Sequence, residues 1–131
     1  MPRKTYAPTL ISTLTDDELK AVFREAQARG DHAAQRCFDE MDKVVYNGHV
    51  FAEDSCGGAS VRTCEISVKE RNRLIRLSLM RWSPERPYTA NFRFNRPDSQ
   101  SYQVAVAAAT AAAEYLSAAL EARFEVRGYG D

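Results

Sequence analysis

Residues 101–124 read SYQVAVAAATAAAEYLSAALEARF, and seven of the nine positions from Ala105 to Ala113 are alanine. Alanine is the strongest helix former, and neither proline nor glycine interrupts the run. The spacing predicts one long helix from Ser99 or Ser101 to Arg123. Tyr102, Val106, Ala109, Ala113, Leu116, Leu120 and Phe124 recur along it at intervals of three and four, forming one apolar stripe. A helix this thin allows close approach. Its stripe suits the apolar face of a sheet, and its outer surface over residues 102–122 suits a second copy of the chain, giving a homodimer.

The N-terminal part carries different helix signals. In LTDDEL, Thr15 is placed to cap a helix while Glu18 reaches back to it, with Leu14 and Leu19 at the stapling positions. Leu19, Val22, Phe23 and Ala26 then share one face. Gly30 reads as the end of this helix and Asp31 as the cap of a second one. That second helix has Ala34, Cys37, Phe38, Met41 and Val45 facing inward, and Asn47-Gly48 as its stop. Residues 1–13, with Pro2 and Pro8, read as an irregular arm, and 14–131 as a single α+β domain.

Three later runs alternate with period two. Cys64, Ile66 and Val68 alternate with polar neighbours, as do Ile75, Leu77 and Leu79, and then Ala90, Phe92 and Phe94. The links ERNR and SPERP are short. The pattern predicts an antiparallel β-meander of three strands, or four if HVFA (49–52) or FEV (124–126) joins it, whereas EDSCGGAS reads as a loop. The expected fold class is α+β: two N-terminal helices, a three- to four-stranded antiparallel β-meander, and the long Ala-rich C-terminal helix packed on the sheet.

Charge is where function becomes visible. The 131 residues hold 18 basic and 18 acidic side chains, so the whole chain is neutral. Residues 60–96, however, carry 9 basic against 3 acidic side chains, a balance of +6, and the segments on either side each stand at −3. In a meander, Lys69, Arg71, Arg73, Arg76, Arg93 and Arg96 gather at one end of the sheet, with Asn91 among them and Trp82 at the other end. Guanidinium forks match phosphates and carboxylates, and aromatic rings stack on bases. The expected function is therefore non-catalytic binding of a phosphate-bearing ligand, nucleic acid or nucleotide, through an arginine-rich sheet face. The alternative is a protein inhibitor or adaptor whose basic face docks on an acidic partner surface. Solvated or internally paired arginines are the plain structural alternative to both.

Other constellations are weaker. Cys56 in SCGG, with His49 and Asp54 nearby, is the one arrangement that suggests a cysteine-dependent enzyme. Cys37, Cys56, Cys64, His32 and His49 lack the paired spacing of a metal site, and no phosphate-loop or dinucleotide motif surrounds Gly57-Gly58. No cofactor is implied. The odd cysteine count, the lack of an apolar leader and an apolar run well short of about 20 residues read as a soluble cytoplasmic protein without a membrane partner. Arginine outnumbers lysine 14 to 4, a bias of GC-rich bacterial or phage genomes.

The order helix, three strands, helix resembles the double-stranded-RNA-binding domain over about 70 residues, and ATAAAEYLSAALEARF is similar to that family's alanine-rich last helix. That family opens this helix with a Lys-Lys-x-x-Lys cluster. RPDSQSYQVAVA stands here instead, so the likeness is one of element order.

Overall fold

The computed structural model describes residues 5–52, 57–63, 65–82, 84, 88–95, 97 and 101–130. After a single 3-10 turn at Leu10–Ser12, the chain forms α1 (Asp16–Glu40), the hairpin β1 (Lys43–Tyr46) and β2 (His49–Ala52), and β3 (Gly57–Arg62). There follow α2 (Val68–Arg76), β4 (Met80–Arg81), β5 (Thr89–Ala90), α3 (Tyr102–Leu120) and β6 (Glu125–Gly130). β1 and β2 form a separate two-stranded sheet among the described residues. The remaining strands form a four-stranded antiparallel sheet in the order β4-β5-β3-β6. α3 lies across β3 and β6 and packs along α1. The α+β class, the antiparallel sheet and the C-terminal helix on its face are as the sequence predicts.

The local signals at both long helices hold. Thr15 Oγ1 accepts the Glu18 N–H at 3.1 Å, while Glu18 Oε1 accepts the Thr15 N–H at 2.9 Å, a complete capping box. Ser101 caps α3 through the Val104 N–H at 3.3 Å. The buried face of α3 is Val104, Ala105, Ala108, Ala109, Ala112, Ala113, Leu116 and Leu120, offset from the predicted stripe in its first half. At 19 residues α3 has the length and composition of a membrane span, and 44% of its most apolar window is buried inside the fold, as in the core helix of a globular protein.

Four assignments differ. First, α1 does not break at Gly30. Glycine weakens a helix interior by roughly 1 kcal/mol relative to alanine but stops a helix only where the backbone turns left-handed. Gly30 serves packing: a Cβ there would strike the Phe94 ring and stand 3.0 Å from the Ala108 carbonyl. Asp31 caps nothing; its Oδ1 accepts from Gln27 Nε2 at 3.1 Å and from the Asn95 N–H at 2.6 Å.

Second, Asn47-Gly48 is not a helix stop. Both residues have positive φ, 51° and 78°, and join β1 to β2 as a two-residue hairpin turn. Val45, assigned inward on a second helix, is exposed on β1.

Third, residues 68–76 form α2 rather than strand and link. Ser67 Oγ caps it through the Glu70 N–H at 3.2 Å. Its closure is a Schellman motif with Ser78 at φ 61° in the place glycine usually takes. Ser78 N–H donates to the Ile75 carbonyl and Leu79 N–H to the Leu74 carbonyl. The helical period is concealed because Glu70, not an apolar residue, fills the inward position between Ile66 and Leu74. Its buried Oε2 accepts from Thr9 N, Thr9 Oγ1 and Ser12 Oγ at 2.9, 2.9 and 2.7 Å. α2 also interrupts the element order that suggested the double-stranded-RNA-binding domain.

Fourth, GGAS (57–60), read as the end of a loop, begins β3, which runs between β5 and β6. Of the third predicted strand only Thr89–Ala90 joins the ladder. Residues 91–95 run on outside the ladder: the Asn91 N–H donates to the Leu79 carbonyl at 3.0 Å, and beyond it the segment bonds to α1, where Gln27 Nε2 donates to the Arg93 carbonyl at 2.7 Å and Gln27 Oε1 accepts the Arg93 N–H at 3.0 Å. The FEV strand is present as β6, longer than expected.

The core fills the space between sheet and helices. Phe23 stacks on Phe92 with centroids 5.8 Å apart and meets Phe124 edge-on at 6.3 Å. Ile11, Leu19, Ile66, Leu74, Met80 and Leu116 close around them.

Candidate functional site

Register decides which side chains share a face. Val61 is buried against α3, and Ala59 and Val126 pack on the same core. Alternation therefore turns Ser60 and Arg62 of β3, with Arg127 and Tyr129 of β6, to the opposite face. Arg81, Thr89, Arg62 and Glu125 are successive cross-strand partners, one from each strand, so they form a row across this face. Arg62 Nε reaches Glu125 Oε1 at 2.8 Å and is neutralised there.

Beyond the row the sheet splays. β3 continues back to Gly57 alongside β6, while residues 91–95 leave for α1. Between them lies a cleft of about 220 Å³ lined by Ser60, Arg81, Thr89, Phe92, Arg93 and Tyr129 together with small side chains of β3, β5 and α3. Two guanidinium-bearing residues from separate segments thus line one small space. No carboxylate is among the described residues of that lining.

The arginine cluster expected at one end of a meander is not assembled, because four of its six members, Lys69, Arg71, Arg73 and Arg76, lie on α2. Lys69 is exposed on that helix. Arg71 sits over the Tyr88 ring, its guanidinium carbon 3.9 Å from the centroid, and its buried Nε has no hydrogen-bond partner. Arg73 is structural: Nη1 donates to the Ile11 carbonyl and Nη2 to Asp16 Oδ1 at 2.8 Å. Arg73, Arg76 and Lys20 form a second positive region around Asp16. The hydrogen bond from Arg73 outweighs burial and, with these charges, holds the Asp16 carboxyl below its ordinary value.

Asn91 donates from Nδ2 to the Ser78 carbonyl at 3.0 Å, so it braces the α2 turn rather than a ligand. Trp82 follows Arg81 and is 56% exposed. Arg96 and Cys56 lie outside the described residues, as does Cys64. Cys37 is half-buried near Met41, with sulfurs 3.8 Å apart. Among the described residues no group of three or more His, Cys, Asp or Glu side chains is placed to hold a metal.

Of the predicted site residues that the structure describes, only Arg93 lines the cleft. Its companions Arg81, Ser60 and Tyr129, and the neighbouring Arg127, were missed. One signal was available: extending the FEV strand through EVRGYG puts Val126 inward and Arg127 and Tyr129 outward by simple alternation. Comparison with family models, curated proteins and solved structures finds no match, so the site's own chemistry carries the functional reading.

Proposed function

We propose that this chain is a small non-catalytic binding protein that takes a phosphate-bearing ligand on the arginine face of its sheet, with Arg81 and Arg93 as the principal anion contacts. The observation that carries this reading is their convergence on one cleft whose described lining holds no carboxylate. Two like charges brought to one space repel, and an anion between them removes that cost. Guanidinium forks bind phosphate oxygens bidentately, and the hydroxyls of Ser60 and Thr89 stand in the same lining.

A second reading has one observation in its favour. Trp82 is exposed and follows Arg81 in the chain, and Trp and Arg are both enriched among the residues that carry most of the binding energy at protein interfaces. An acidic protein surface docking there would use the same two residues.

Retention on phosphocellulose tests the first reading. The wild type is expected to elute at higher salt than the Arg81→Glu/Arg93→Glu variant. Arg29→Glu/Arg36→Glu, an equal charge change on α1 away from the cleft, should leave the elution near wild type. Equal loss of retention in both variants would show net charge alone at work and overturn the assignment. Nuclease-resistant capture of a protein through Trp82 would favour the acidic partner.

A further inference from the structure

Gly58 and Tyr129 are register partners on β3 and β6. A Cβ on Gly58 would stand 2.7 Å from Tyr129 Cε2 and Oη, so the ring lies folded down across the glycine. Any larger residue at 58 would lift it. One side of the ring is thus backed by strand β3, and 42% of the residue is exposed. This aromatic surface borders the cleft that holds Arg81 and Arg93.

The cleft's 220 Å³ is smaller than the roughly 300–1,000 Å³ of pockets that enclose a whole small molecule. It suits one unit of a longer ligand. Cationic charge continues outside it at Arg127, which stands opposite Ser60 on β6, whereas Arg62 in the row beside Thr89 is held by Glu125. A flat aromatic with arginines distributed along the strands matches a chain of repeating phosphates whose bases are free to stack.

A duplex does not meet this description. Its bases are already stacked on one another, and its major groove, about 12 Å wide, admits a helix or a two-stranded ribbon. Four strands at about 4.8 Å spacing, backed by helices, are too wide to enter it.

We propose that the ligand is single-stranded nucleic acid, one base of which stacks on Tyr129 while the adjoining phosphates lie on Arg81 and Arg93 and a further phosphate on Arg127. This rests on the phosphate reading above and adds to it the base and the single strand.

Fluorescence anisotropy with the intact chain tests it, using a labelled oligothymidylate, an abasic oligomer of equal length and a duplex of equal length. Oligothymidylate should bind about tenfold or more tighter than the abasic oligomer, the range of one base–aromatic stack. Tyr129→Ala should lose a similar factor on oligothymidylate and almost nothing on the abasic oligomer, while Tyr129→Phe, which keeps the ring over Gly58, retains binding. With three or four phosphates engaged, log affinity should fall with log salt at a slope of about −2 to −3. Equal affinity for the abasic oligomer or the duplex would overturn the single-strand inference and leave the phosphate reading standing. No binding to any oligomer, with phosphocellulose retention intact and sensitive to Arg81 and Arg93, has the same consequence. Indifference of both assays to Arg81→Glu/Arg93→Glu removes both.

Discussion

Gln27 grips the backbone of Arg93 from both sides, donating to its carbonyl at 2.7 Å and accepting its N–H at 3.0 Å. A side-chain amide on α1 thereby does for residue 93 what a neighbouring strand would have done. It satisfies the backbone of a segment that has left the sheet, and the space so opened is the candidate cleft. Gln27→Ala removes both bonds at a partly exposed site. The expected cost is about 1–2 kcal/mol of stability in urea unfolding, with weakened retention on phosphocellulose. Unchanged retention would separate the cleft from the anion contact.

Glu70 joins α2 to the N-terminal segment through three hydrogen bonds to Thr9 and Ser12, all on Oε2. Glu70→Ala leaves those donors without their acceptor and opens a cavity. A loss of about 3 kcal/mol or more is expected from the orphaned groups. Proteolysis near residue 9 should accelerate in the same variant, because the segment loses its anchor on α2.

The acid limb of stability should follow Asp16 and Glu18. Asp16 is held below its ordinary 3.8, first by the hydrogen bond from Arg73. Glu18 is held below 4.5, first by the Thr15 backbone N–H and then by its hydroxyl. Both folded values lie below the unfolded ones. Their contribution is therefore complete above the ordinary carboxylate range and is lost as pH falls through the depressed values. Urea midpoints attributable to these groups should be level down to about pH 5 and decline below it. Asp16→Asn and Glu18→Gln should each flatten that decline.

Gly30→Ala sets two effects against each other. Helix propensity gains up to about 1 kcal/mol, but the new methyl meets Phe94 and the Ala108 carbonyl. Overpacking costs about 1–3 kcal/mol, so the variant should be less stable than the parent by calorimetry. Adding Phe94→Leu should recover part of the loss. Stabilisation by Gly30→Ala alone would contradict the packing role.

What the sequence made legible was local. The Thr15 capping box, a long helix opening at Ser99 or Ser101 and a short FEV strand each rest on a few neighbouring residues; the box is complete, the helix opens at Ser101 and the strand runs on to Gly130. α2 was concealed because its inward position is a carboxylate, whose Oε2 is bonded by residues about sixty positions away, and because a serine performs the turn that glycine usually marks. The site was legible only at Arg93. Arg81 and Tyr129 reach it through a register that passes from β4 through β5 and β3 to β6. The departure of residues 91–95 from the sheet depends on Gln27, whose role no periodicity announces.

The pairing of β3 with β6 also has a consequence in time. Arg62 and Glu125, which close that ladder, are 63 residues apart in the chain. Loop-closure entropy must be overcome before any of the ladder's contacts return it, and such non-local pairing slows folding. During synthesis β3 emerges well before the strand that will cover its edge, and for that interval it offers Gly57–Arg62 to any extended segment it meets. Agents that engage nascent chains should find this chain chiefly in the window between those two strands, and a synthesis stall placed there should turn a correctly folding product into an aggregating one.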